Sequence, residues 1–282
     1  MDEKELQALV HLLDDPDQLI AEEIENKLLS LGPDIIPSLE EYWESAFDPY
    51  IQERLEKIIH AIQFDQTKSE LLVWKMSNSF NLLEGLLIIN SYQYPSYNNN
   101  LIRITIEELK REIWMELRYE MTPYEKVSLI NYILFEKFGL SGNTNDYHNP
   151  QNSFIGRVLE SKKGNPLTLS CIYSIIAQKL DIPIFGINLP KHFILSYLAE
   201  NQTEDHLLFY INAFNKGQVM QKADVISFLK QLNLPLSKEF MMPCDNVMIL
   251  KRVLRNLITA YEHNESVSKK QEVEILFKLL AE

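Results

Sequence analysis

Three short segments carry side chains whose types and spacing suit covalent or acid–base chemistry. The first runs from Asn152-Ser153-Phe154 to Gly164-Asn165-Pro166-Leu167-Thr168-Leu169-Ser170. Asn165 is a good helix N-cap and Pro166 a good first helical residue, because the N-cap side chain takes up an orphan N–H and proline has none to lose. The start of such a helix presents free N–H groups and the positive end of the dipole. A thiolate nucleophile gains most there, yet the residue at that place is proline. The second segment is Leu189-Pro190-Lys191-His192-Phe193, in which His192 opens an apolar run. A histidine in that setting is more often a packed structural residue than a ligand. A general base would sit in the same place, its second ring nitrogen held by a carboxylate or an amide. The third segment, Phe209-Tyr210-Ile211-Asn212-Ala213-Phe214-Asn215-Lys216-Gly217, offers Asn212 as that orienting amide.

Only two thiols exist, Cys171 and Cys244. Cys171 lies five residues past Pro166, which on a helix is about 140° around and roughly 7–8 Å along. It belongs to the apolar run Leu169, Ile172, Ile175, Ile176, so a packing role is expected. Ser170 is nearer in angle, about 40° from Pro166, but a turn deeper. A set of Cys171, His192 and Asn212 has the residue types of a cysteine hydrolase and fails on this geometry unless the helix starts elsewhere. Cys244 is too distant in sequence to place. Two cysteines imply no disulfide framework and no cysteine-based zinc site. Asp146, His148 and His192 lack metal-binding spacing, and no glycine-rich phosphate loop is present. Neither a metal nor a cofactor is expected.

The elements that must hold these groups can be read from periodicity. The 282 residues are 46% hydrophobic and 24% charged, an ordinary globular balance. Residues 1 to about 65 read as four short helices, with apolar positions Leu6, Val10, Leu13, then Ile20, Ile24, Leu28, Leu31, at helical spacing. Asp15-Pro16 and Asp48-Pro49 each open a helix, and Gly32-Pro33 stops one. Helices continue to about residue 139, including a long amphipathic one from Leu101 to Tyr119 and one capped by Thr122. Residues 140–152 form a long loop. After a helix from Pro166 to Leu180 the pattern turns to strands at 184–188, 193–198 and 207–213, with turn residues around Glu200 to Glu204. Helix returns at 222–231, and two further helices over 245–281 make a terminal hairpin. The fold class is therefore α+β, helix-rich, with a small antiparallel sheet.

The net charge of -13, from 27 Lys and Arg against 40 Asp and Glu, argues against nucleic acid, whose phosphates reward the opposite sign. No stretch approaches a membrane span, so no membrane partner is expected. The start, Met1-Asp2-Glu3-Lys4, has no basic region followed by an apolar run, and a cytoplasmic location is the expectation.

Residues 139–217 resemble the transglutaminase-like superfamily. The resemblance rests on Gly142-Asn143, Asp146-Tyr147, Asn152-Ser153-Phe154, Val158-Leu159-Glu160, Gly164-Asn165-Pro166, Leu189-Pro190-Lys191-His192-Phe193 and Ile211-Asn212 through Gly217. It points to a bacterial branch with an N-terminal helical region and a C-terminal tetratricopeptide-like hairpin. Separately, Leu28 to Leu39 resembles a HEAT repeat. The division implied is 1–66 as a HEAT-like cap, 67–138 as a helical lead-in, 139–232 as the core and 233–282 as the hairpin. Catalytic members carry a Cys-His-Asp triad with the cysteine at the start of the central helix. Counted back from the turn Asp181-Ile182-Pro183, that position falls on or beside Pro166. The family histidine falls on His192 and the aspartate on Asn212, and Lys191 stands where this branch commonly has glycine. The resemblance lines a cleft with Tyr147, Asn152, Asn165 and Pro166. It implies a non-catalytic protein that binds a protein or peptide through cleft and helical surfaces. The alternative is a cysteine-type amide or thioester hydrolase or acyltransferase, using Cys171 or a hydroxyl with His192 and Asn212. A third reading is a scaffold within a larger assembly.

Overall fold

A computed structural model describes residues 3–14, 17–199, 207–233 and 240–281. The chain divides into two compact units, Met1–Glu70 and Leu71–Glu282. The helix opening at Asp15-Pro16 and the turn at Glu200 to Glu204 fall outside the described residues.

The first unit is helical: α1 (Glu3–His11), α2 (Gln18–Ser30), α3 (Ile36–Ser45) and all but the last three residues of α4 (Pro49–Val73). Its core gathers Leu6, Val10, Leu13, Leu28, Leu39, Leu55, Ile58 and Ile62. These are mostly the apolar positions expected from spacing. Ile20 is an exception and is exposed, because α2 instead turns Ala21 and Leu28 inward. Asp48 caps α4, its carboxylate accepting from the Tyr50 N–H at 2.8 Å. Two separate helices were expected on either side of residue 66, but α4 is continuous. The segment between Ile62 and Leu71 contains no glycine or proline to stop it. Thr67 and Ser69 there send their hydroxyls back to the carbonyls of Gln63 and Asp65 within the helix.

The second unit is α+β and helix-rich, with a small antiparallel sheet. Helices α5 (Leu82–Gln93), α6 (Asn99–Glu116) and α7 (Pro123–Asn131) lead into it. Each N-terminus is capped as its sequence demands, by Asn81, Asn98 and a Thr122–Glu125 capping box. A two-residue parallel pairing follows, β1 (Ser141–Gly142) with β2 (Lys163–Gly164), which bridges α8 (Ile155–Ser161). Helix α9 (Pro166–Gln178) is buried at every position from Pro166 to Ala177, and its buried Thr168, Ser170 and Ser174 hydroxyls each find an acceptor in the helix or its cap.

Strands β3 (Ile184–Ile187), β4 (Ile194–Leu198), β5 (Leu207–Asn212) and β6 (Gln218–Met220) form an antiparallel sheet in sequence order. All five residues of β4 are buried, so both its faces are covered. Ile194 and Tyr210 pack with Val225 and Leu229 of α10 (Lys222–Gln231), while α9 touches β3 and β4. Two more helices, α11 (Asn246–His263) and α12 (Val267–Ala281), pack on each other. They are tied to α5 by Tyr261 donating to Gln93 at 2.8 Å and Tyr92 donating to Glu272 at 2.7 Å. Strand β6 and the β1–β2 pairing were not expected from sequence, since two or three residues carry too little alternation to register. Among the described residues no helix is long and apolar enough to cross a membrane.

Candidate functional site

The start of α9 is held by a chain of amides. The β1–β2 pairing brings the loop after Gly142 alongside Gly164, and the Asn143 N–H donates to the Gly164 carbonyl at 2.9 Å. Asn143 Nδ2 donates to Asn152 Oδ1 at 2.9 Å. Asn152 Nδ2 donates in turn to the carbonyls of Asp146 (2.7 Å) and Tyr147 (3.2 Å). The Asn152 carbonyl then accepts from the Asn165 N–H at 3.3 Å. Asn165 caps α9 as expected: its Oδ1 accepts from the Thr168 N–H at 2.9 Å and from the Thr168 hydroxyl at 3.2 Å, while its Nδ2 donates to Ser153 Oγ at 2.9 Å. Asn152 and Asn165 are only 3% and 6% exposed, so each bond takes the place of water that the site excludes.

Beside this chain lies a cavity of about 130 Å³. Tyr147, His148, Ser153 and Asn165 line one side of it, and Asn256 and Thr259 of α11 the other. The Tyr147 ring meets His148 and Phe214 edge-on, and His148 stacks on His263 at 5.0 Å. Three of the four expected cleft residues thus converge here through hydrogen bonds or the cavity wall. Pro166 is the fourth, at the first position of α9 and buried. Asn256 and Thr259 were missed. The available signal was their spacing with Arg252, three polar residues on one face of an amphipathic helix.

Among the described residues, the two residues expected to act as base and orienter make no side-chain hydrogen bond to this chain of amides, although the turn that Asn212 caps packs on α9 and β1. His192 lies in the β3–β4 connection, its N–H donating to the Leu189 carbonyl at 3.2 Å. Its ring packs on Phe228 of α10 at 5.6 Å. Burial, then the charge of Arg252, lowers its pKa. Arg252 reaches from α11 to donate to Asn188 Oδ1 (3.1 Å) and the Leu189 carbonyl (3.4 Å). Asn212 spends its Oδ1 on the Asn215 N–H at 3.2 Å, capping the turn Ala213–Asn215. Among the described residues no hydrogen bond joins His192 to Asn212. Lys191 adopts φ +61°, the left-handed region that favours glycine, at the place where the resemblance expects one.

Neither thiol lies at the α9 start. Cys171 is 1% exposed, and burial pushes its pKa far above the ordinary thiol range. Cys244 donates its S–H to the Gly186 carbonyl at 3.3 Å, and burial pushes it up to about 12. The Ser170 hydroxyl donates to the Pro166 carbonyl at 2.7 Å within the buried helix. Among the described residues no group of three or more His, Cys, Asp or Glu side chains is placed to hold a metal.

The sequence model of the transglutaminase-like superfamily matches residues 100–255. The chain belongs to that superfamily. It is similar to a UPF0162 protein of Xylella fastidiosa (strain 9a5c), 28% identical over 186 residues, which are 64% of this chain and 64% of that protein. A UPF0162 protein of Vibrio cholerae is 26% identical over 191 residues, covering 67% of this chain and 69% of the relative. F-box only protein 21 of Homo sapiens is 37% identical over 92 residues, 32% of this chain and 15% of that protein. The chain therefore spans under two thirds of the Xylella relative's length, and a small part of the human one. No solved structure matches it. Within the superfamily's matched region lie all the residues discussed above from Asn143 to Arg252.

Proposed function

We propose that this transglutaminase-like protein is non-catalytic and binds a protein or peptide through the cleft beside α9. The observation that carries the reading is the absence of a thiol at the α9 start, where Pro166 stands, together with the burial of Cys171 five residues further on. A nucleophilic cysteine works as a thiolate, and burial without a cation or a histidine beside it disfavours the thiolate. What the cleft offers instead is recognition. The cavity wall carries the Asn256 amide, the Thr259 hydroxyl and the His148 ring, hydrogen-bonding groups that suit a polypeptide backbone or a carboxylate. On the same reading His192 and Asn212 are residual triad positions with structural duties. The HEAT-like character of residues 1–66, the core at 139–232 and the tetratricopeptide-like hairpin at 233–282 supply further helical binding surface. The protein works in the cytoplasm.

Site-resolved alkylation tests this. The native protein is treated with iodoacetamide at neutral pH, with and without urea, and labelled peptides are identified by mass spectrometry. Cys171 modification is expected to be at least about a hundredfold slower in the native protein, since it needs local unfolding. Rapid native labelling of Cys171 that His192→Ala abolishes would overturn the reading and favour the hydrolase or acyltransferase alternative.

A further inference from the structure

The charge of this chain is not shared between its two units. Met1–Glu70 carries 18 Asp and Glu against 5 Lys and Arg, while Leu71–Glu282 carries 22 of each. The whole net charge of -13 therefore resides in the first unit. The imbalance is sharpest in residues 28–53, which contain six acids and no Lys or Arg. Three of the unit's five cations are already engaged, Arg54 with Glu25, Lys57 with Glu53 and Lys68 with Asp65. The exposed Glu40, Glu41 and Glu44 on α3 have no cationic partner among the described residues.

The same stretch contains an apolar groove of about 280 Å³. The apolar side chains of Val10, Tyr42, Phe47 and Ile51 line it, with His11, Ser45 and Asp48 also in its wall. Phe47 is 101% exposed, in the short link between α3 and α4. A fully exposed phenylalanine beside an open apolar groove gains by being covered. Its acidic surroundings say by what. A second copy of this unit would bring -13 against -13, and the repulsion opposes pairing. Nucleic acid and anionic lipid are opposed for the same reason.

We propose that this groove is the docking site for a basic amphipathic segment of another protein, an apolar side chain seated against Phe47 and Lys or Arg meeting the α3 glutamates. The attraction comes in two separable parts. Burial of the anchor holds the segment in place, and the carboxylates select its charge and speed its encounter. The site is distinct from the cleft beside α9 and stands whether or not that cleft binds anything.

The test uses the full chain and three synthetic peptides, a Lys/Leu amphipathic helix, its Glu/Leu counterpart and a Lys/Ser peptide without apolar residues, each followed by fluorescence anisotropy. Only the Lys/Leu peptide is expected to bind well. Phe47→Ser should weaken it about tenfold or more, as truncation of an anchor does. The combined Glu40→Gln, Glu41→Gln and Glu44→Gln variant should weaken it several-fold and flatten its dependence on NaCl, since exposed charges are screened. Both changes are on the surface, and circular dichroism confirms folding. Equal binding of the Glu/Leu peptide, indifference to Phe47→Ser, or self-association of the chain that Phe47→Ser abolishes would each overturn the proposal. Pro166→Ala and His192→Gln are expected to leave peptide binding unchanged, which separates this result from any failure of the cleft reading.

Discussion

Replacing Asn165 by alanine removes one of the two best-connected side chains of the site, the other being Asn152. Its Oδ1 accepts from the Thr168 N–H and hydroxyl, and its Nδ2 donates to Ser153 Oγ. Loss of an N-cap costs about 0.5–2 kcal/mol. The upper part of that range applies, because Thr168 is fully buried and water cannot take over its N–H. The Ser153 bond adds roughly 1 kcal/mol net. Together these predict a loss of about 2–3 kcal/mol. A unit of this size shifts about 2–4 °C per kcal/mol, so the melting temperature of the second unit should fall by roughly 4–12 °C. Urea and thermal unfolding followed by far-UV circular dichroism measure both. Asn165→Asp keeps the acceptor at the positive end of the helix and should recover most of the loss. If Asn165→Ala unfolds within about 0.5 kcal/mol of the parent, then the amide chain from Asn143 to Thr168 does not hold the start of α9, and the account of the site is wrong.

Two further substitutions probe the neighbouring elements. Burial and Arg252 hold the His192 ring below its ordinary 6.5, so the unfolded chain takes up a proton that the native chain refuses as pH falls through that value. The His192 contribution to stability should therefore be full above 6.5 and be lost progressively on acidification below it, and His192→Gln should flatten that part of the slope; urea midpoints across pH 5–8 decide it. Gly217 has φ +73°, and a side chain there would run into the Asn131 amide, which donates to the Gly217 carbonyl and accepts from the Tyr173 hydroxyl. Gly217→Ala should cost about 2–4 kcal/mol from backbone strain and displaced packing, and an unchanged urea midpoint would show that Asn131 yields freely.

Local rules made half of this site legible in advance. An asparagine followed by proline announces a capped helix start whatever surrounds it, and Asn165 and Pro166 take up that role. Thr122 and Asp48 cap their helices for the same reason. The three longest strands were visible as β-branched and aromatic runs. Long-range pairing was not. Nothing in the loop after Gly142 says that it lies beside Gly164, and without that two-residue pairing the bonds from Asn143 to Asn152 to Asn165 have no reason to form. Likewise α4 needed the absence of a breaker to be weighed above the change in its apolar pattern.

Arg252 was the least accessible of all, and it bears most on the chemistry. On sequence alone His192 has a plausible base's position, and Asn212 a plausible orienter's. A general base in a cysteine hydrolase must gain a proton and be stabilised as imidazolium, which a carboxylate or amide on its far nitrogen provides. Here the neighbouring charge has the opposite sign. Burial is the larger cause that disfavours the imidazolium, and Arg252, sixty residues later in the chain and anchored on Asn188 and Leu189, adds to it. Asn212, meanwhile, holds a turn. A missing nucleophile would be only one lost group, restored in principle by a single substitution. Burial and Arg252 both disfavour a charged His192 ring, and Asn212 is engaged in a turn, so Pro166→Cys alone is expected to leave the protein without hydrolase activity.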